Sequence, residues 1–210
     1  MLTVVLIAIA SYLIGSIPTS IIFARLLQGI DIREHGSGNA GATNTFRVLG
    51  WKAGLIVLLI DMAKGFVPVV WLAGYGIDSG MGWDPIYYQI LCGLAAVFGH
   101  IWTIFAGFKG GKGVGTGAGM VIGLAPVPVL ICLAVFAVVV GITRYVSLGS
   151  ILAAITLPIV LFTDRFVLGN PVHPLLLGLG VFIAALIVYT HRSNVQRLLK
   201  GEESKISVQK

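Results

Sequence analysis

The sequence predicts an all-α polytopic integral membrane protein of about seven helices, and its composition and length are the reasons. Hydrophobic residues make up 57% of the 210 residues, charged residues make up 10%, and the mean hydropathy is +0.99. Soluble domains carry about 25% charged residues. Since each span needs about 20 apolar residues, the chain has room for several. We expect a single membrane-embedded domain over 1–210, with a short basic tail from about 191.

The apolar segments of the chain define the candidate spans. They cover 2–24, 53–76, 86–106, 114–142, 148–163 and 174–190. The first segment lacks a basic start and a small-residue cleavage site, so we interpret it as a span and not as a signal peptide.

The connections between these segments differ in charge. Residues 25–52, residues 107–113 and the tail are rich in Lys and Arg, whereas 77–85 contains two aspartates and no basic residue. Because cytoplasmic loops are enriched in Lys and Arg, we predict that the N-terminus lies outside and the C-terminus in the cytoplasm. The net charge of +6 then indicates contact with anionic lipid or an anionic substrate, and not with nucleic acid.

Six full spans would return the basic tail to the outside, so one segment must fail to cross. The candidate is 114–142, because Pro126 and Pro128 interrupt it, and proline removes a backbone donor and clashes with the preceding turn. Each half has about a dozen residues, or about 18 Å of helix, which is short for a hydrocarbon core of about 30 Å. We therefore predict five full spans plus two short helices, broken near Pro126/Pro128, that enter the membrane and return.

The loop 35–44 reads HGSGNAGATN and contains the spelling G-x-G-x-x-G, with Asp61 following 20 residues after Gly41. A dinucleotide-binding fingerprint requires a preceding strand and a βαβ unit. Here the preceding residues are polar and Asp61 lies in an apolar helix, so the context argues against a Rossmann site. Glycines still let a backbone approach a phosphate closely and form anion-binding nests. The alternative is an interspan loop whose Ser and Asn side chains cap the next helix.

A second glycine-rich stretch, 107–119, reads GFKGGKGVGTGAG. It is not a Walker A loop, because Ala106 stands where the first glycine would be and Gly113 replaces the Ser or Thr after the lysine. Lys109 and Lys112, with mobile amides at a helix start, nevertheless make a good oxyanion cradle. The alternative is that the lysines only fix the topology and the later glycines permit close helix packing.

Ionisable residues also occur inside the apolar segments. Asp61 and Lys64 share one helical face within the hydrocarbon, where charged residues often mark a functional site. The alternative is a self-neutralising structural pair. His100, near the end of the third span, is a candidate ligand, acid/base group or interfacial anchor.

Two further clusters lie near the predicted cytoplasmic surface. Arg144, Ser147 and Ser150 are spaced by three, which predicts one helical face, and the run His191-Arg-Ser-Asn194 follows the last span. Four groups of residues that can donate hydrogen bonds to a phosphate are therefore predicted to lie at one leaflet of the membrane. We predict a site there for one or two phosphate groups beside lipid chains.

Several runs of the sequence resemble one known family. They are Gly15-Ser-Ile-Pro-Thr19, Gly36-Ser-Gly-Asn-Ala-Gly-Ala-Thr-Asn44, Asp61-x-x-Lys64-Gly65, Gly99-His100, Phe108-Lys-Gly-Gly-Lys-Gly113, Arg144-x-x-Ser147 and His191-Arg-x-Asn194. In these runs the chain resembles the bacterial acyl-phosphate:glycerol-3-phosphate acyltransferases, and the resemblance covers almost the whole length.

This resemblance implies a multi-pass enzyme of the bacterial cytoplasmic (inner) membrane, with seven helices and an active site on the cytoplasmic side. It implies transfer of a fatty acyl group from acyl phosphate to sn-glycerol 3-phosphate, giving lysophosphatidic acid and inorganic phosphate in the first step of phospholipid synthesis. The expected partners are these two substrates, membrane lipids and the soluble enzyme that supplies acyl phosphate. We expect no nucleic acid, no cofactor and no metal.

The sequence lacks a motif that enzymes with other acyl donors carry, which agrees with acyl phosphate as the donor. Glycerolipid acyltransferases that use thioester donors carry H-x-x-x-x-D, whereas the positions five after the four histidines of this chain are Ala40, Phe105, Gly178 and Gln196.

By the same resemblance, each candidate residue has an expected role. Catalysis is expected from His191, Lys109 and Ser147. Substrate binding is expected from Ser37, Asn39, Thr43, Asn44, Arg47, Lys112, Arg144 and Asn194, and the two glycine-rich loops are candidates for the acyl phosphate. Asp61, Lys64 and His100 are expected to be intramembrane or structural. The base that accepts the glycerol hydroxyl proton stays open among His191, His100 and a phosphoryl oxygen of the donor.

Two other classes of function explain the sequence less well. A transporter of a phosphorylated solute would also use broken helices and intramembrane charges, but its site would lie near the midplane, whereas the basic groups here gather at one leaflet and the sequence shows no inverted repeat. A non-catalytic lipid-binding scaffold explains neither glycine loop.

Overall fold

The computed structural model describes residues 1–206, which fold into helices joined by turns and loops. Lys210, which belongs to the predicted basic tail, lies outside the described residues. The α-helices are α1 (Leu2–Ser16), α2 (Thr19–Gln28), α3 (Ala42–Leu49), α4 (Trp51–Val67), α5 (Ala73–Ile77), α6 (Pro85–Ile101), α7 (Val114–Leu124), α8 (Pro126–Thr143), α9 (Val146–Phe166), α10 (Pro174–Thr190) and α11 (Arg192–Lys200). A π-helical turn, Pro68–Leu72, joins α4 to α5.

Five helical segments of the described chain are long and apolar enough to cross a membrane. They are Leu2–Gln28, Trp51–Ile77, Pro85–Ala106, Pro126–Thr143 and Val146–Phe166. A sixth forms if α10 and α11, which meet at an angle of 60°, count as one broken span. These segments confirm the predicted fold class, an all-α polytopic membrane protein. The side of the membrane on which each end lies stays a prediction.

The segment 114–142 is broken where its prolines predict, but only one of the two helices is short. α7 has 11 residues, whereas α8 begins at Pro126, has 18 residues and is long enough to span. The prediction of two short helices was therefore wrong for α8. Pro126 occupies the first position of the helix, where the amide would have no partner within the helix anyway. The prolines start α8 and do not shorten it.

The chain forms two compact units, Met1–Leu124 and the residues from Ala125 onward. We refer to them as unit 1 and unit 2 and describe each by itself. The expected single domain stays a prediction.

In unit 1, α1 and α6 pack closely and run in the same direction. Val4 and Ile7, near the start of α1, cluster with Tyr88 and Cys92, near the start of α6. Toward the ends of the two helices, Gly15 lies against the backbone of Ala96, and Gly99 lies against the backbone of Ser16. A Cβ at either glycine would overlap these atoms, so the approach requires glycine. Since the two helices are parallel, the segment Trp51–Ile77 must cross back between them. The loops that follow α2 and α6 therefore lie at one end of unit 1.

α4 and α7 form a second parallel pair in unit 1. Gly115, near the start of α7, lies against Asp61, and Gly123, near its end, lies against Val69, in the π-helical turn that directly follows α4. Residue numbers rise together along the two helices, so α7 starts at the end of unit 1 where α4 starts. That end is the one that carries both glycine-rich loops.

Unit 2 is built from α8 to α11. α8 and α9 are antiparallel across a short turn, with Gly149 against Val140, and α9 and α10 are antiparallel, with Gly180 against Leu161. This arrangement places the turn at Arg144 and the end of α10 at one end of unit 2.

Candidate active site

The first glycine loop, residues 35–44, is braced from inside by Asn44. Its Oδ1 accepts a hydrogen bond from the Ser37 amide (2.8 Å), and its Nδ2 donates to the carbonyls of Ile32 (3.0 Å) and His35 (2.9 Å). Asn44 is only 2% exposed. The structure therefore places this predicted substrate-binding residue inside the loop, where it fixes the loop's shape. Its predicted contact with substrate stays a prediction.

The backbone of this loop uses glycine where other residues would be strained. Gly36 (φ 60°) and Gly38 (φ 71°) lie in the left-handed region that favours glycine. Ser37 between them is exposed. Its amide is turned inward to Asn44, so the turn is held by the protein itself.

The remaining predicted residues of this region lie at the end of the loop and on α3. Asn39, Thr43 and Arg47 are all half-buried. α3 starts after Gly41, and within the described residues no side chain caps it. The alternative interpretation, in which Ser and Asn of the loop cap the next helix, is therefore wrong for α3.

The second glycine loop, residues 107–113, folds back on the end of α6. The Gly110 amide donates to the Ile101 carbonyl (3.1 Å), and the Gly111 amide donates to the His100 carbonyl (3.0 Å). Lys109 is exposed and Lys112 is half-buried. α7 begins directly after this loop, so the positive end of its helix dipole adjoins the segment that contains Lys109 and Lys112.

The two glycine loops meet at Ala40 and Gly111. A Cβ at Gly111 would lie 2.9 Å from the Ala40 carbonyl oxygen and would overlap the His100 ring. Only a residue without a side chain allows this approach. The structure thus joins two loops that the sequence analysis connected only by their predicted side of the membrane.

Arg33 makes a second link between the two regions. Its guanidinium donates to both carboxylate oxygens of Asp31 (3.0 and 2.6 Å), and its Nη1 donates to the Ala106 carbonyl (3.0 Å). The hydrogen bonds from the Arg33 side chain and amide lower the pKa of Asp31 to about 2. Sequence reasoning missed Arg33, and the signal available was the D-x-R spacing beside the glycine loop.

Asp61, Lys64 and His100 form a buried cluster beneath the second glycine loop. Lys64 Nζ lies 2.6 Å from Asp61 Oδ1 and donates at 2.6 Å to the carbonyl of Ile17, which lies at the break between α1 and α2. His100 Nδ1 lies 3.7 Å from the same Asp61 oxygen. The geometry is that of the self-neutralising pair, and it also ties α4 to the broken first span.

In unit 2, Glu203 joins two predicted site residues. Its Oε1 accepts from the Ser147 hydroxyl (2.7 Å) and the Asn194 amide (2.7 Å), and its Oε2 accepts from Arg197 Nε (2.8 Å). Burial raises the pKa of Glu203, but these hydrogen bonds outweigh burial and bring the pKa below its ordinary value. Sequence reasoning missed Glu203, because nothing in the sequence distinguishes it from Glu202, which is exposed.

Arg144 ends α8 in the left-handed region (φ 64°), and α9 begins at Val146. The prediction of one helical face for Arg144, Ser147 and Ser150 was therefore wrong for Arg144, because its positive φ interrupts the helix. Its side chain is exposed, and its carbonyl accepts a hydrogen bond of 2.8 Å from the amide of Ile206.

His191 lies at the bend between α10 and α11 and is 3% exposed. Its Nδ1 is 2.8 Å from the carbonyl oxygen of Ile187. Because a carbonyl only accepts, Nδ1 carries the hydrogen, and Nε2 is the acceptor nitrogen of the neutral ring.

Among residues 1–206, no group of three or more His, Cys, Asp or Glu side chains is arranged to hold a metal ion. By their places in the fold, the predicted site residues form one polar group at an end of unit 1 and another at an end of unit 2. Both groups are built from side chains and backbone amides.

Sequence comparisons relate the chain to glycerol-3-phosphate acyltransferases. The family model described as glycerol-3-phosphate acyltransferase matches residues 5–201. The chain is 49% identical, over 227 aligned positions, to the glycerol-3-phosphate acyltransferase of Chlorobaculum tepidum. That alignment covers 99% of this chain and 98% of that protein. It is 48% identical over 229 positions to that of Chlorobium phaeobacteroides strain BS1, with 98% of this chain and 97% of that protein covered.

Two crystal structures share the fold. They are the glycerol 3-phosphate form and the lysophosphatidic acid form of PlsY (YgiH), an integral membrane glycerol 3-phosphate acyltransferase. The first gives a TM-score of 0.84 at 39% identity and covers 97% of this chain and 96% of that chain. The second gives 0.82 at 38% identity, with 98% and 96% covered. From the family match over most of its length and these close relatives, the chain belongs to the glycerol-3-phosphate acyltransferase family.

Proposed function

We propose that the chain transfers a fatty acyl group from acyl phosphate to sn-glycerol 3-phosphate, giving lysophosphatidic acid and inorganic phosphate. The observation that carries this proposal is the meeting of the two glycine loops at Ala40 and Gly111. It gathers glycine-rich backbone and the Lys109 ammonium at one end of unit 1, which is the chemistry that binds phosphate. Both proposed substrates are phosphates, and the PlsY forms named for glycerol 3-phosphate and lysophosphatidic acid support the acceptor and the product.

Acyl phosphate is the proposed donor because it is already activated. Inorganic phosphate is a good leaving group, so positioning and charge stabilisation supply much of the catalysis. The sequence also lacks the H-x-x-x-x-D pair that thioester-dependent glycerolipid acyltransferases use. We assign Ser37, Asn39, Thr43, Arg47, Lys109 and Lys112 to the phosphate groups.

In the reaction, the glycerol hydroxyl oxygen attacks the acyl carbonyl carbon. The bond from that carbon to the phosphate oxygen breaks, and phosphate leaves with the electron pair. The hydroxyl proton passes to a base, for which His191 Nε2 is our candidate in the protein, because Nδ1 is committed to the Ile187 carbonyl. A phosphoryl oxygen of the donor is the alternative.

Ser147 has a role that follows from its hydrogen bond. Its hydroxyl proton is directed to Glu203, so its oxygen presents lone pairs. We therefore assign Ser147 to accept a hydrogen bond from the hydroxyl of glycerol 3-phosphate that does not react, and we assign Arg144 and Asn194 to the same substrate by family resemblance.

We also propose a single functional domain in the bacterial inner membrane, with the N-terminus outside and the active site at the cytoplasmic surface. The concentration of Lys and Arg in the loop-bearing segments supports this orientation. A cytoplasmic site would receive acyl phosphate from a soluble enzyme.

The test is an assay of the purified full chain in detergent with radiolabelled glycerol 3-phosphate. We expect lysophosphatidic acid with acyl phosphate as donor, and no product with acyl-CoA or acyl-carrier protein. Product formation from a thioester alone would contradict the proposed donor. Uptake of labelled glycerol 3-phosphate into sealed vesicles without acylation would favour a transporter.

A pair of lysine variants tests the assignment of the loop. Lys109→Ala is expected to lower kcat/KM at least about tenfold, since a charge-assisted hydrogen bond contributes about 1.5–3 kcal/mol. Lys52→Ala removes the same charge from an exposed lysine at the same end of unit 1 and should leave kcat/KM nearly unchanged. Equal kinetics for both variants and the parent would refute the site.

A further inference from the structure

A chain of buried polar contacts runs from the break in the first span to the second glycine loop. It begins at the Ile17 carbonyl, passes through Lys64 Nζ (2.6 Å) to Asp61 Oδ1 (2.6 Å), and reaches His100 Nδ1 at 3.7 Å. Asp61 and Lys64 are each 4% exposed, and His100 is 8% exposed. Because the contacts tie α4 to the break in the first span, they fix the Asp61 carboxylate beside the imidazole ring, 3.7 Å from Nδ1.

The other side of the His100 ring faces the second glycine loop. A Cβ at Gly111 would overlap Nε2 of that ring. The main chain of the same region also holds the loop, since the carbonyls of His100 and Ile101 accept the Gly111 and Gly110 amides. His100 therefore supports the loop from below with both its ring and its carbonyl.

The end of α6 is anchored a second time, close to His100. The Thr103 hydroxyl donates to the carbonyl of Ser16, at the same break in the first span. The break thus provides two carbonyl acceptors, Ser16 and Ile17, one for Thr103 and one for Lys64. The residues that carry the second glycine loop are fixed on both sides.

A buried ion pair is by itself weak evidence of stabilisation, because apolar residues of the same shape often do as well. Here the pair lies in a chain of directed contacts that ends at a loop, and directed contacts fix geometry in a way that apolar packing does not. A buried, hydrogen-bonded group such as Lys64 with Asp61 and the Ile17 carbonyl holds its members in one arrangement.

We propose that His100 is a positioning residue for the proposed reaction: oriented by Asp61 and Lys64, it holds Gly110 and Gly111 in place and so fixes the position from which Lys109 reaches a phosphate. This inference rests on the proposed function for the role of Lys109. The positioning of the loop itself does not depend on which phosphate binds.

The experiment compares two matched histidine substitutions in the full chain in detergent. His100→Asn keeps a polar group near Asp61 but removes the ring atoms that face Gly111. His173→Asn makes the same change in the loop before α10, where Asn is also a suitable helix cap. Hydrogen–deuterium exchange of residues 107–113, kinetics with acyl phosphate and glycerol 3-phosphate, and the thermal unfolding midpoint are measured for both.

For His100→Asn we expect amide exchange in the second glycine loop at least about fivefold faster, with the rest of unit 1 unchanged. We expect kcat/KM to fall by about ten- to a hundredfold, mainly through a higher KM for a phosphate substrate, since small misplacements of a binding group have effects of that size. His173→Asn should match the parent in both measurements. His100→Ala should exceed His100→Asn in both effects.

Unchanged exchange in the loop of His100→Asn would overturn the proposal, whatever the kinetics. Faster exchange throughout unit 1 with a lower unfolding midpoint would overturn it too, because that pattern indicates a general structural role. If His100→Ala is not recovered as folded protein, His100→Asn alone decides. A parent protein that makes no lysophosphatidic acid would refute the proposed function, while the exchange measurement would still test the positioning.

Discussion

The Ser147 hydroxyl donates a hydrogen bond of 2.7 Å to the carboxylate of Glu203, 56 positions later in the chain. Asn194 and Arg197 donate to the same carboxylate. One acid in the tail therefore sets the orientation of two residues assigned to substrate. It also determines that the Ser147 oxygen acts as an acceptor.

Glu203→Gln should lower the free energy of unfolding by about 1–3 kcal/mol, because the new amide group would turn a donor toward buried donors. The Glu203 side chain is only 3% exposed. Glu202→Gln makes the same change at its exposed neighbour and should have little effect. Thermal unfolding of both variants in detergent measures the difference, and equal midpoints would contradict the role of Glu203.

The same carboxylate predicts a dependence on pH. Its pKa in the folded protein lies below the ordinary value of 4.5, so its contribution to stability is fully present above pH 4.5. That contribution is lost as the pH falls from 4.5 through the lowered pKa. The difference in unfolding free energy between the parent and Glu203→Gln should therefore shrink below pH 4.5. A difference that grows on acidification would show that the sign is wrong.

Two glycines of α7 should respond in opposite ways to alanine. A Cβ at Gly119 would overlap the backbone of Met62, whereas a Cβ at Gly117 meets no heavy atom within 4 Å among the described residues. Gly119→Ala should therefore destabilise by about 1–3 kcal/mol through overpacking. Gly117→Ala should be neutral or stabilise by up to about 1 kcal/mol through helix propensity. Unfolding midpoints in detergent check the order, which a reversed result would refute.

Lys64→Met should lower the free energy of unfolding more than the double variant Asp61→Asn/Lys64→Met. The single change leaves Asp61 buried without its cation, which costs about 3–5 kcal/mol. The double change removes both charges and leaves mainly the lost hydrogen bond to Ile17, about 1 kcal/mol. A double-mutant cycle of unfolding free energies measures the coupling. Additive effects would show that the two side chains do not act as a pair.

Asn44→Asp should open the first glycine loop. A carboxylate cannot donate to the carbonyls of Ile32 and His35, which the Asn44 amide now satisfies. We expect faster tryptic cleavage after Arg33 and a loss of about 1–3 kcal/mol in stability. Asn170→Asp makes the same change in the loop before α10 and should leave cleavage at Arg33 as it is. Equal cleavage in both variants would contradict the bracing role of Asn44.

Local features were predicted well because they depend on near neighbours in the chain. The break before Pro126 follows from proline's missing amide, and the glycine positions of the first loop follow from its turn. The length of α8 was predicted less well, since proline's effect depends on where a helix starts. The position of Arg144 depends on a single left-handed residue, which the three-residue spacing did not reveal.

The sequence by itself determined the membrane class, the approximate spans and the two glycine loops, because hydrophobic run length, charge and glycine act over short stretches of chain. Only the tertiary structure decided that the loops meet at Ala40 and Gly111, that Lys64 binds the broken first span, and that Glu203 rather than Glu202 is buried. These partners lie far apart in the chain, and helix packing alone brings them within hydrogen-bonding or van der Waals distance.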